Sequence, residues 1–580
     1  MPVLTGIDIL GIQRYVFASN RLRDVLAASW IVDHVTKRDS NSLVQWGMMC
    51  NRVLLAAGGN AIVGFDTLED AHKWTAHYTR WVQDTAPGLE VVVAHRDFGG
   101  RPLAWALKAL SIKLARAKLE RRPSAPQLGL SVTAACSVTG LPASKRDENN
   151  GDPISPRIAT LRSDDIQRVA RERWQSFRPV QLDHAPAWSA EFPDELDLMG
   201  RTRGETSLLG LVHVDGNSVG QSINDWLDRC LEAGVGDENV RAEYREWSTA
   251  IRDLGDAVLR VIVTRAATCV REETNERGRR DCFVRGTPDE LAFRLCDWRA
   301  DNTRKTSNGT LFLPIRPILL GGDDLTFVCD GRIALDLAVT AMREIEKHPI
   351  PHLAENGGEL TLTVCAGVAL VKAHAPFRRS YDLAESLCAS AKRTRREINK
   401  EQDAETGSWL DWHVGSTRPG ESIEETRERQ YQRGRRTLTM RPYPLVKHDG
   451  RDQSWHWLEQ ELLGPGNGAN ESFRGFSIGK DEGGQIRLMP DTWSGSRSRV
   501  KRLGSLVCDG SDGIKRQVKA WNALEPGIRL PASLPDGGFI GQQTPLIDAV
   551  ELLDMHIRLE PDPRAVDPSV TALAKEEEIR

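Results

Sequence analysis

Three aspartates are the side chains of this sequence whose type and spacing best suit chemistry. Asp215 follows the apolar run Leu208–Val214, and Asp323 and Asp324 lie in a Gly-Gly-Asp-Asp turn between two further apolar runs. Adjacent antiparallel strands lie ~4.8 Å apart, so a carboxylate at one strand end can meet two others at a neighbouring hairpin tip. Oxygen-rich sites of that kind bind Mg²⁺ or Mn²⁺, which also bridge nucleotide phosphates. The pattern predicts a two-metal site that activates a hydroxyl group and neutralises departing pyrophosphate.

Two glycines and a lysine are the next candidates for this site. Gly321 and Gly322 have no Cβ, so the turn that contains them can approach phosphate groups closely. Lys392 points away from the apolar stripe of a helix predicted over 380–396, where it can reach a triphosphate. The competing interpretations are an ordinary hairpin turn with solvated acids and a solvated lysine near a helix end.

The elements that must position these residues occur twice along the chain. A strand, a helix, a hairpin around Gly58-Gly-Asn60, a helix, a strand and a helix follow one another up to residue 119. The same order recurs between residues 208 and 396. Two such units predict an α+β fold with tandem ferredoxin-like domains. The predicted boundaries are 1–120, 206–400, a linker over 121–205 and a mainly helical accessory region over 401–580.

Composition excludes several classes of protein. The chain of 580 residues has 77 Lys and Arg against 81 Asp and Glu, a formal charge of −4, which argues against a surface coated in basic charge for nucleic acid. Its apolar fraction of 40% is ordinary for globular proteins. No apolar run approaches the ~20 residues of a membrane-spanning helix, and no signal peptide is evident, so we expect a cytoplasmic protein without a membrane partner. The ten cysteines are scattered and predict no structural zinc.

The motifs resemble one known family. The second unit resembles the catalytic palm of the large polymerase-cyclase subunit of type III CRISPR complexes in four segments: Asp215-Gly-Asn-Ser-Val-Gly220, Gly321-Gly-Asp-Asp324, Cys365-Ala-Gly367 and Ala391-Lys392. The first unit resembles the non-catalytic palm of that family in three segments: Gly11-Ile-Gln-Arg-Tyr-Val-Phe17, Ala27-Ala-Ser29 and Ala57-Gly-Gly-Asn60. The resemblance covers a little more than half of the chain.

The resemblance implies an activity. In that family the second palm converts ATP into cyclic oligoadenylate second messengers, which a downstream effector senses. Carried over to this chain, the resemblance implies ATP as substrate and two divalent ions, Mg²⁺ or Mn²⁺. The implied catalytic residues are Asp215, Asp323 and Asp324, and the implied metal ligands are these three and Gly216. The implied nucleotide-binding residues are Gly216, Asn217, Ser218, Gly321, Gly322 and Lys392.

The chain also departs from the family pattern. The sequence begins at the first palm, without an HD nuclease domain before it, and Ala134–Gly140 is a zinc-insert remnant with the lone Cys136. The first hairpin carries Asn60 where the second carries Asp323, which argues against catalysis in the first unit. We therefore expect a standalone relative in anti-phage signalling, a GGDD palm protein without the nuclease, at least as readily as a CRISPR effector subunit.

Two other functions stay open at this stage. Three basic runs, Lys392–Arg396, Arg427–Arg441 and Arg497–Arg502, are consistent with an RNA-binding scaffold of a ribonucleoprotein complex whose palm is regulatory. Asn224-Asp225 resembles the guanine-binding pair of GGDEF diguanylate cyclases, although its offset is one residue too long and the hairpin ends in Asp-Asp. No P-loop motif occurs. The sequence leaves an RNA or protein activator and the oligomeric state open.

Overall fold

The structure is a computed structural model with helices and strands in a mixed α+β arrangement. It describes residues 3–37, 53–121, 132–199, 208–274, 280–286, 293–295, 309–448, 451–464, 472–480, 486–490 and 493–559. Within these ranges, no helix is both long and apolar enough to cross a bilayer.

The first unit is a four-stranded antiparallel sheet with helices. Its elements are β1 (Val3–Leu10), α1 (Ile12–Val16), α2 (Leu22–Thr36), β2 (Val53–Ala57), β3 (Asn60–Phe65), α3 (Leu68–Thr85), β4 (Glu90–Asp97) and α4 (Leu103–Glu120). The strands lie in the order β2-β3-β1-β4. The predicted hairpin forms because Gly58 and Gly59 both adopt positive φ, which glycine tolerates without a steric cost.

A connecting segment follows the first unit. It contains β5 (Lys145–Arg146), β6 (Pro153–Ile154), α5 (Pro156–Leu161), α6 (Asp164–Glu172) and β7 (Trp188–Glu191). Arg162, after α5, binds Asp24 of α2 at 2.9 Å, and Arg173 donates to the carbonyl oxygen of Ser29 at 3.2 Å. These polar contacts pack the segment on the first unit.

The second unit repeats the strand order of the first and extends it. Its elements are β8 (Leu208–Gly216), α7 (Val219–Glu232), α8 (Asp237–Thr268), β9 (Val270–Thr274), β10 (Arg280–Val284), β11 (Phe293–Arg294), β12 (Gly309–Phe312), β13 (Ile315–Leu320), β14 (Leu325–Asp330), α9 (Ala334–Glu346), β15 (Val364–Lys372), α10 (Phe377–Gln402) and β16 (Trp409–Val414). The main sheet runs β13-β14-β8-β15-β16 and then one further strand from beyond residue 440. The first four strands match β2-β3-β1-β4 in order and direction.

The chain after residue 414 contains short strands as well as helices. Its elements are α11 (Ile423–Tyr431), β17 (Gln432–Arg433), β18 (Arg436–Thr437), β19 (Tyr443–Pro444), α12 (Trp455–Trp457), β20 (Phe476–Lys480), β21 (Ile486–Pro490), α13 (Arg497–Leu506), α14 (Gly510–Leu524) and α15 (Leu546–Leu552). β16 pairs with β15, and β19 pairs with β16, so both strands belong to the sheet of the second unit. Sequence analysis had not predicted these two strands.

The two units share an apolar interface. Phe17 stacks on Tyr381 with ring centroids 3.9 Å apart, and the Ser29 hydroxyl donates to the carbonyl oxygen of Ile318. The amide oxygen of Asn20 accepts from the backbone N–H of Phe377 at 3.0 Å and so caps the first turn of α10. Each unit therefore completes a buried surface of the other.

Gly367, in the Cys-Ala-Gly segment, is required by the packing of β15 on α10. A Cβ at this position would overlap the carbonyl oxygen of Ala384 and the amide nitrogen of Cys388. Both atoms belong to the helix backbone and cannot rotate away. The glycine thus fixes the distance between the sheet and the helix that carries Lys392.

We predict that Gly367→Ala lowers the free energy of unfolding by about 2–3 kcal/mol, because overpacking against backbone forces the strand and helix apart. Chemical denaturation monitored by circular dichroism measures the change. Gly220→Ala is the matched control, because no atom lies within 4 Å of a Cβ placed there. Equal stability of the two variants would contradict the assigned packing role.

Candidate functional site

The three aspartates lie at one end of the central sheet of the second unit. Asp215 is the next-to-last residue of β8, and Asp323 and Asp324 lie in the turn between β13 and β14. Leu325 pairs with Val214, which places the turn beside Asp215. A Cβ on Gly216 would lie 2.5 Å from Asp323 Oδ2, so glycine is needed for this close approach.

Lys392 contacts the same cluster from α10. Its Nζ donates to Asp215 Oδ2 at 2.6 Å and to the carbonyl oxygen of Gly216 at 2.8 Å. The lysine side chain is 17% exposed, so it is held at the acidic cluster and is not a solvated helix-end charge. Its ammonium group offsets part of the negative charge of Asp215.

Burial and the neighbouring carboxylates raise the pKa values of two of the acidic residues. Burial, and then repulsion from Asp215, raises the pKa of Asp324 to about 7. Burial, followed by repulsion from Asp215 and Asp324, raises the pKa of Asp323 to about 6. Asp324 Oδ1 is buried and has no hydrogen-bond partner among the described residues. Asp323 and Asp324 are thus crowded by like charge, and one oxygen of Asp324 has no hydrogen-bond partner among the described residues although the side chain as a whole is 41% exposed. A divalent cation at this place would offset the charge and contact that oxygen.

Two residues that sequence analysis missed lie against the cluster. His213 Nδ1 lies 3.1 Å from Thr326 Oγ1 and 3.5 Å from Asp324 Oδ1. His213, Asp215 and Cys388 each offer a ligand atom within 4.8 Å of the others. Burial raises the pKa of the Cys388 thiol well above its usual value, and its Sγ contacts the carbonyl oxygen of Cys365 at 3.2 Å. Alternate residues of a strand share a face, so His213 was open to prediction from Asp215. Cys388 lies four residues before Lys392 on α10, so helical spacing could have placed it beside the lysine.

The turn after Asp215 is held in an unusual backbone conformation. Ser218 adopts a φ of 61°, which is uncommon for a residue other than glycine, and α7 begins directly after it. The backbone N–H of Asn217 donates to the carbonyl oxygen of Thr363 at 2.9 Å, and its amide Nδ2 donates to Thr363 Oγ1 at 3.1 Å. The Asn217 side chain thus anchors the turn. The N-terminus of α7 consequently lies beside the acidic cluster.

The two turn glycines have different surroundings. Gly322 adopts a φ of 95°, and a Cβ there would lie 2.5 Å from Ile251 Cγ2 of α8. Gly255 lets α8 approach the turn, since its own Cβ would lie 3.0 Å from the carbonyl oxygen of Gly322. A Cβ on Gly321 would meet only ordinary contacts. Packing on α8 therefore explains why residue 322 is glycine. Of the two turn glycines, Gly321 is the one with free space beside its Cα atom.

A cavity of about 1000 Å³ opens in front of the turn. Both units line it, because Gly58 of the first hairpin faces Gly321 of the second, with a Cβ on Gly58 lying 3.6 Å from the carbonyl oxygen of Gly321. Asp323 and Asp324 line the cavity, whereas Asp215 and Lys392 do not. Its volume is at the upper end for small-molecule sites. Aromatic and apolar side chains form much of the remaining wall: Trp174, Phe177, Ile223, Tyr244, Trp247 and Ile251.

The first unit contributes a related ion pair to this cavity. Asp8 of β1 lies opposite Asn60 of β3 and binds Lys118 of α4. Asp8 and Lys118 thus correspond in position to Asp215 and Lys392. Asp8 pairs with Asn60, and continuing the pairing of Leu325 with Val214 by one residue places Asp324 opposite Asp215. Asn60 therefore corresponds to Asp324, and the sequence-based alignment of Asn60 with Asp323 was wrong by one residue. The first hairpin has glycine, not a carboxylate, in the place of Asp323.

The basic runs are largely occupied by internal contacts. Ion pairs join residues of all three runs to acidic groups: Arg393 to Glu424, Arg427 to Asp411, Arg429 to Glu421, Arg441 to Asp548 and Glu551, Arg497 and Lys501 to Asp554, and Arg499 to Glu525. Arg395 donates to the carbonyl oxygen of Gly407 at 2.9 Å. Arg427 and Arg441 bind buried carboxylates, whereas Arg393, Arg497 and Lys501 are about half exposed and form pairs at the surface, where such pairs add little stability.

Asn224 and Asp225 lie within α7. Asp225 is exposed and accepts from Gln221 Nε2 at 2.7 Å, and neither Asn224 nor Asp225 lines the cavity. Ile223 lines it instead. The structure therefore does not bring this Asn-Asp pair to the candidate site.

Comparison with known proteins finds similarity in structure alone. No protein-family model matches the chain, and no curated protein does. The crystal structure of a Csm1–Csm4 cassette in complex with cA3 is similar with a TM-score of 0.50 and 13% identity, over 96% of this chain and 70% of that chain. The crystal structure of Csm1 from T. onnurineus is similar with a TM-score of 0.48 and 14% identity, over 96% and 69%. Similarity at this identity concerns the fold.

We predict that Asp324→Asn stabilises the protein increasingly as the pH rises from 5 to 8 in the presence of EDTA. A carboxyl group with a raised pKa binds more protons in the folded state than in the unfolded state between pH 3.8 and about 7. Its contribution to stability is therefore lost as the pH rises through that range. Asparagine stays neutral and avoids the loss.

Thermal unfolding of both proteins across this pH range measures the difference. A difference in Tm that does not change with pH would show that Asp324 is not strained by its surroundings. Adding Mg²⁺ at pH 8 serves as a control, since a cation should raise the Tm of the wild type more than that of Asp324→Asn.

Proposed function

We propose that this protein is a nucleotidyltransferase that makes cyclic oligonucleotide second messengers from ATP in anti-phage defence. The observation that carries the proposal is the convergence of Asp215, Asp323 and Asp324 beside a cavity that two similar units share. The motif resemblance to the polymerase-cyclase palm and the Csm1–Csm4 cassette bound to cA3 support the same activity. In this proposal both units are ferredoxin-like palms and only the second is catalytic.

The residues have the following proposed roles. Asp323 and Asp324 hold divalent cations in the cavity, and Asp215 and the carbonyl oxygen of Gly216 complete the ligand set from β8. Two Mg²⁺ or Mn²⁺ ions, when bound, would lower the pKa of an attacking hydroxyl and neutralise charge on the leaving pyrophosphate. Lys392 gives up Asp215 to a cation and becomes free to bind phosphate oxygens.

The turn after β8 positions the triphosphate. A helix N-terminus presents unpaired backbone N–H groups and attracts anions, and α7 begins at Val219 beside the cluster. Asn217 and Ser218 set the direction of that helix. Gly321 lets the phosphates approach the hairpin, while Gly322 keeps the hairpin on α8.

A second nucleotide has room in the same cavity. Cyclic products need one nucleotide to supply a hydroxyl group and another to supply the phosphate that it attacks. The first unit lacks the hairpin carboxylates but keeps Lys118 and Asn60 on the cavity wall. We assign it a binding role without catalysis.

We predict that the double variant Asp323→Ala/Asp324→Ala loses product formation by at least about 10³-fold, because it removes the cation ligands in the cavity. Purified protein is incubated with ATP and then with all four nucleotides, with Mg²⁺ or Mn²⁺, and products are identified by mass spectrometry. Asp225→Ala is the matched control, an exposed aspartate outside the cavity, and it should retain full activity. Unchanged product formation by the double variant would falsify the site.

We predict that Lys392→Met lowers the turnover of ATP by about 10²-fold. The variant keeps the aliphatic stem of the side chain but cannot bind phosphate oxygens. Initial rates of pyrophosphate release at saturating ATP measure the effect. Lys400→Met, at the end of the same helix, controls for loss of a helical lysine; an equal loss of rate in both variants would remove Lys392 from the site.

The RNA-binding scaffold is the second candidate, and one observation favours it only weakly. Lys392–Arg396 begins at the candidate site, so RNA at that place could reach the catalytic residues. Most of the other basic side chains are in the ion pairs described above. Binding of single-stranded RNA that weakens steeply between 50 and 300 mM salt would support it. A diguanylate cyclase would instead use GTP in the assay above and would lose activity in Asp225→Ala.

A further inference from the structure

Arg316 is a buried charge that the proposed reaction does not use. It lies on β13, four residues before the end of the strand, and is 2% exposed. Its Nε and Nη2 atoms are buried and have no hydrogen-bond partner among the described residues. Burial lowers the pKa of its guanidinium group to about 9, which indicates a poorly compensated charge. Natural proteins seldom bury a guanidinium group without an anion beside it.

The carboxylates near Arg316 are engaged elsewhere. Glu191 binds Arg178, and Glu172 lies 3.4 Å from Arg168. Asp194 lies 3.1 Å from Arg23. The guanidinium group is positioned from one side by the ring of Phe192, whose centroid is 5.5 Å from its Cζ. Arg316 therefore has a fixed position. Asp194 and Glu191 lie near enough to attract its charge, but no carboxylate in the described part of the chain forms a hydrogen bond or ion pair with it.

A pocket of about 320 Å³ adjoins this side chain. It is lined by Arg168, Arg171, Glu172, Gln175, Glu191, Phe192 and Arg316. Arg171, Arg316 and the carboxamide of Gln175 can donate hydrogen bonds into it, whereas Arg168 pairs with Glu172 and Glu191 pairs with Arg178. The pocket is thus small, positively charged and rich in donors.

We propose that this pocket binds a phosphate group, with Arg316 as its buried anchor. Guanidinium groups match the geometry of phosphate oxygens and form strong charge-assisted hydrogen bonds with them. Arg171 and Gln175 supply donors at the pocket rim. Because Arg316 is almost completely buried, the pocket suits a terminal, dianionic phosphate, which can enter end-on, more than a phosphodiester within a chain.

The site is separate from the candidate catalytic cavity. None of its lining residues lines that cavity, and it adjoins α6 and β7 of the connecting segment. It is connected to the catalytic turn through β13, which runs from Arg316 directly to Gly321. The inference does not rest on the proposed function, since phosphate binding here requires no catalysis.

The first test compares stability without ligand. Arg316→Met removes the charge but keeps a long side chain, and we expect an unchanged or higher Tm in sodium chloride because an uncompensated buried charge has been removed. Arg265→Met is the matched control: Arg265 binds Asp336 through two hydrogen bonds of 2.6 and 2.8 Å, so its loss leaves a buried carboxylate and lowers the Tm. A similar loss of stability in both variants would overturn the inference.

The second test measures binding with inorganic phosphate, AMP and the dinucleoside monophosphate ApA as probes, at constant ionic strength and with EDTA. We expect phosphate and AMP, but not ApA, to raise the Tm of the wild-type chain. The affinity for phosphate should fall about 10- to 100-fold in Arg316→Met. Asp323→Ala/Asp324→Ala should keep the effect, which separates this pocket from the catalytic cavity. Equal responses to ApA, or an unaltered phosphate response in Arg316→Met, would overturn the proposal.

Discussion

Mutual repulsion of three carboxylates is the constraint on which the second unit depends. Asp323 and Asp324 are held beside Asp215 by a turn that has no room to move, because Gly216 lies against it on one side and α8 on the other. Lys392 neutralises one charge, and burial, followed by repulsion from Asp215, raises the pKa values of the other two carboxyl groups, so the protein does not fully compensate their charge. A divalent cation bound there, as proposed above, would offset this charge.

The first unit shows what the same fold looks like without that constraint. It keeps an aspartate on the central strand and a lysine on the last helix, Asp8 and Lys118, but its hairpin carries glycine and asparagine. One carboxylate with one lysine is electrically balanced, so nothing there favours a metal ion. The two units thus share a strand order and an aspartate–lysine ion pair, and they differ in the carboxylates of the hairpin turn.

Local patterns predicted much of the fold and part of the site. The Gly-Gly turns, the apolar strands and the helix over Ala334–Glu346 were evident because short-range geometry determines them. The strands β16 and β19 were missed, since a strand that adds to an existing sheet needs no distinctive turn of its own. Pairs such as Asp8 with Lys118, or Arg441 with Asp548, join residues far apart in sequence, and no local pattern specifies them. Arg316 was visible as a lone charge in an apolar run, but only its surroundings show that its Nε and Nη2 atoms lack a hydrogen-bond partner within the described residues.

The pairing of Arg441 with Asp548 also bears on the order in which the protein assembles. Asp548 accepts from the backbone N–H of Met440 at 2.7 Å and from the Tyr443 hydroxyl at 2.9 Å, so it secures the edge strand β19 from a position 108 residues after Met440. The ribosome therefore releases the sheet long before the residues that seal its edge. Until Asp548 has been made, β19 lacks two of the hydrogen bonds that hold it, and an unsecured edge strand is open to edge-to-edge association. The second unit therefore gains these contacts to its edge strand only late in synthesis, from a residue of α15.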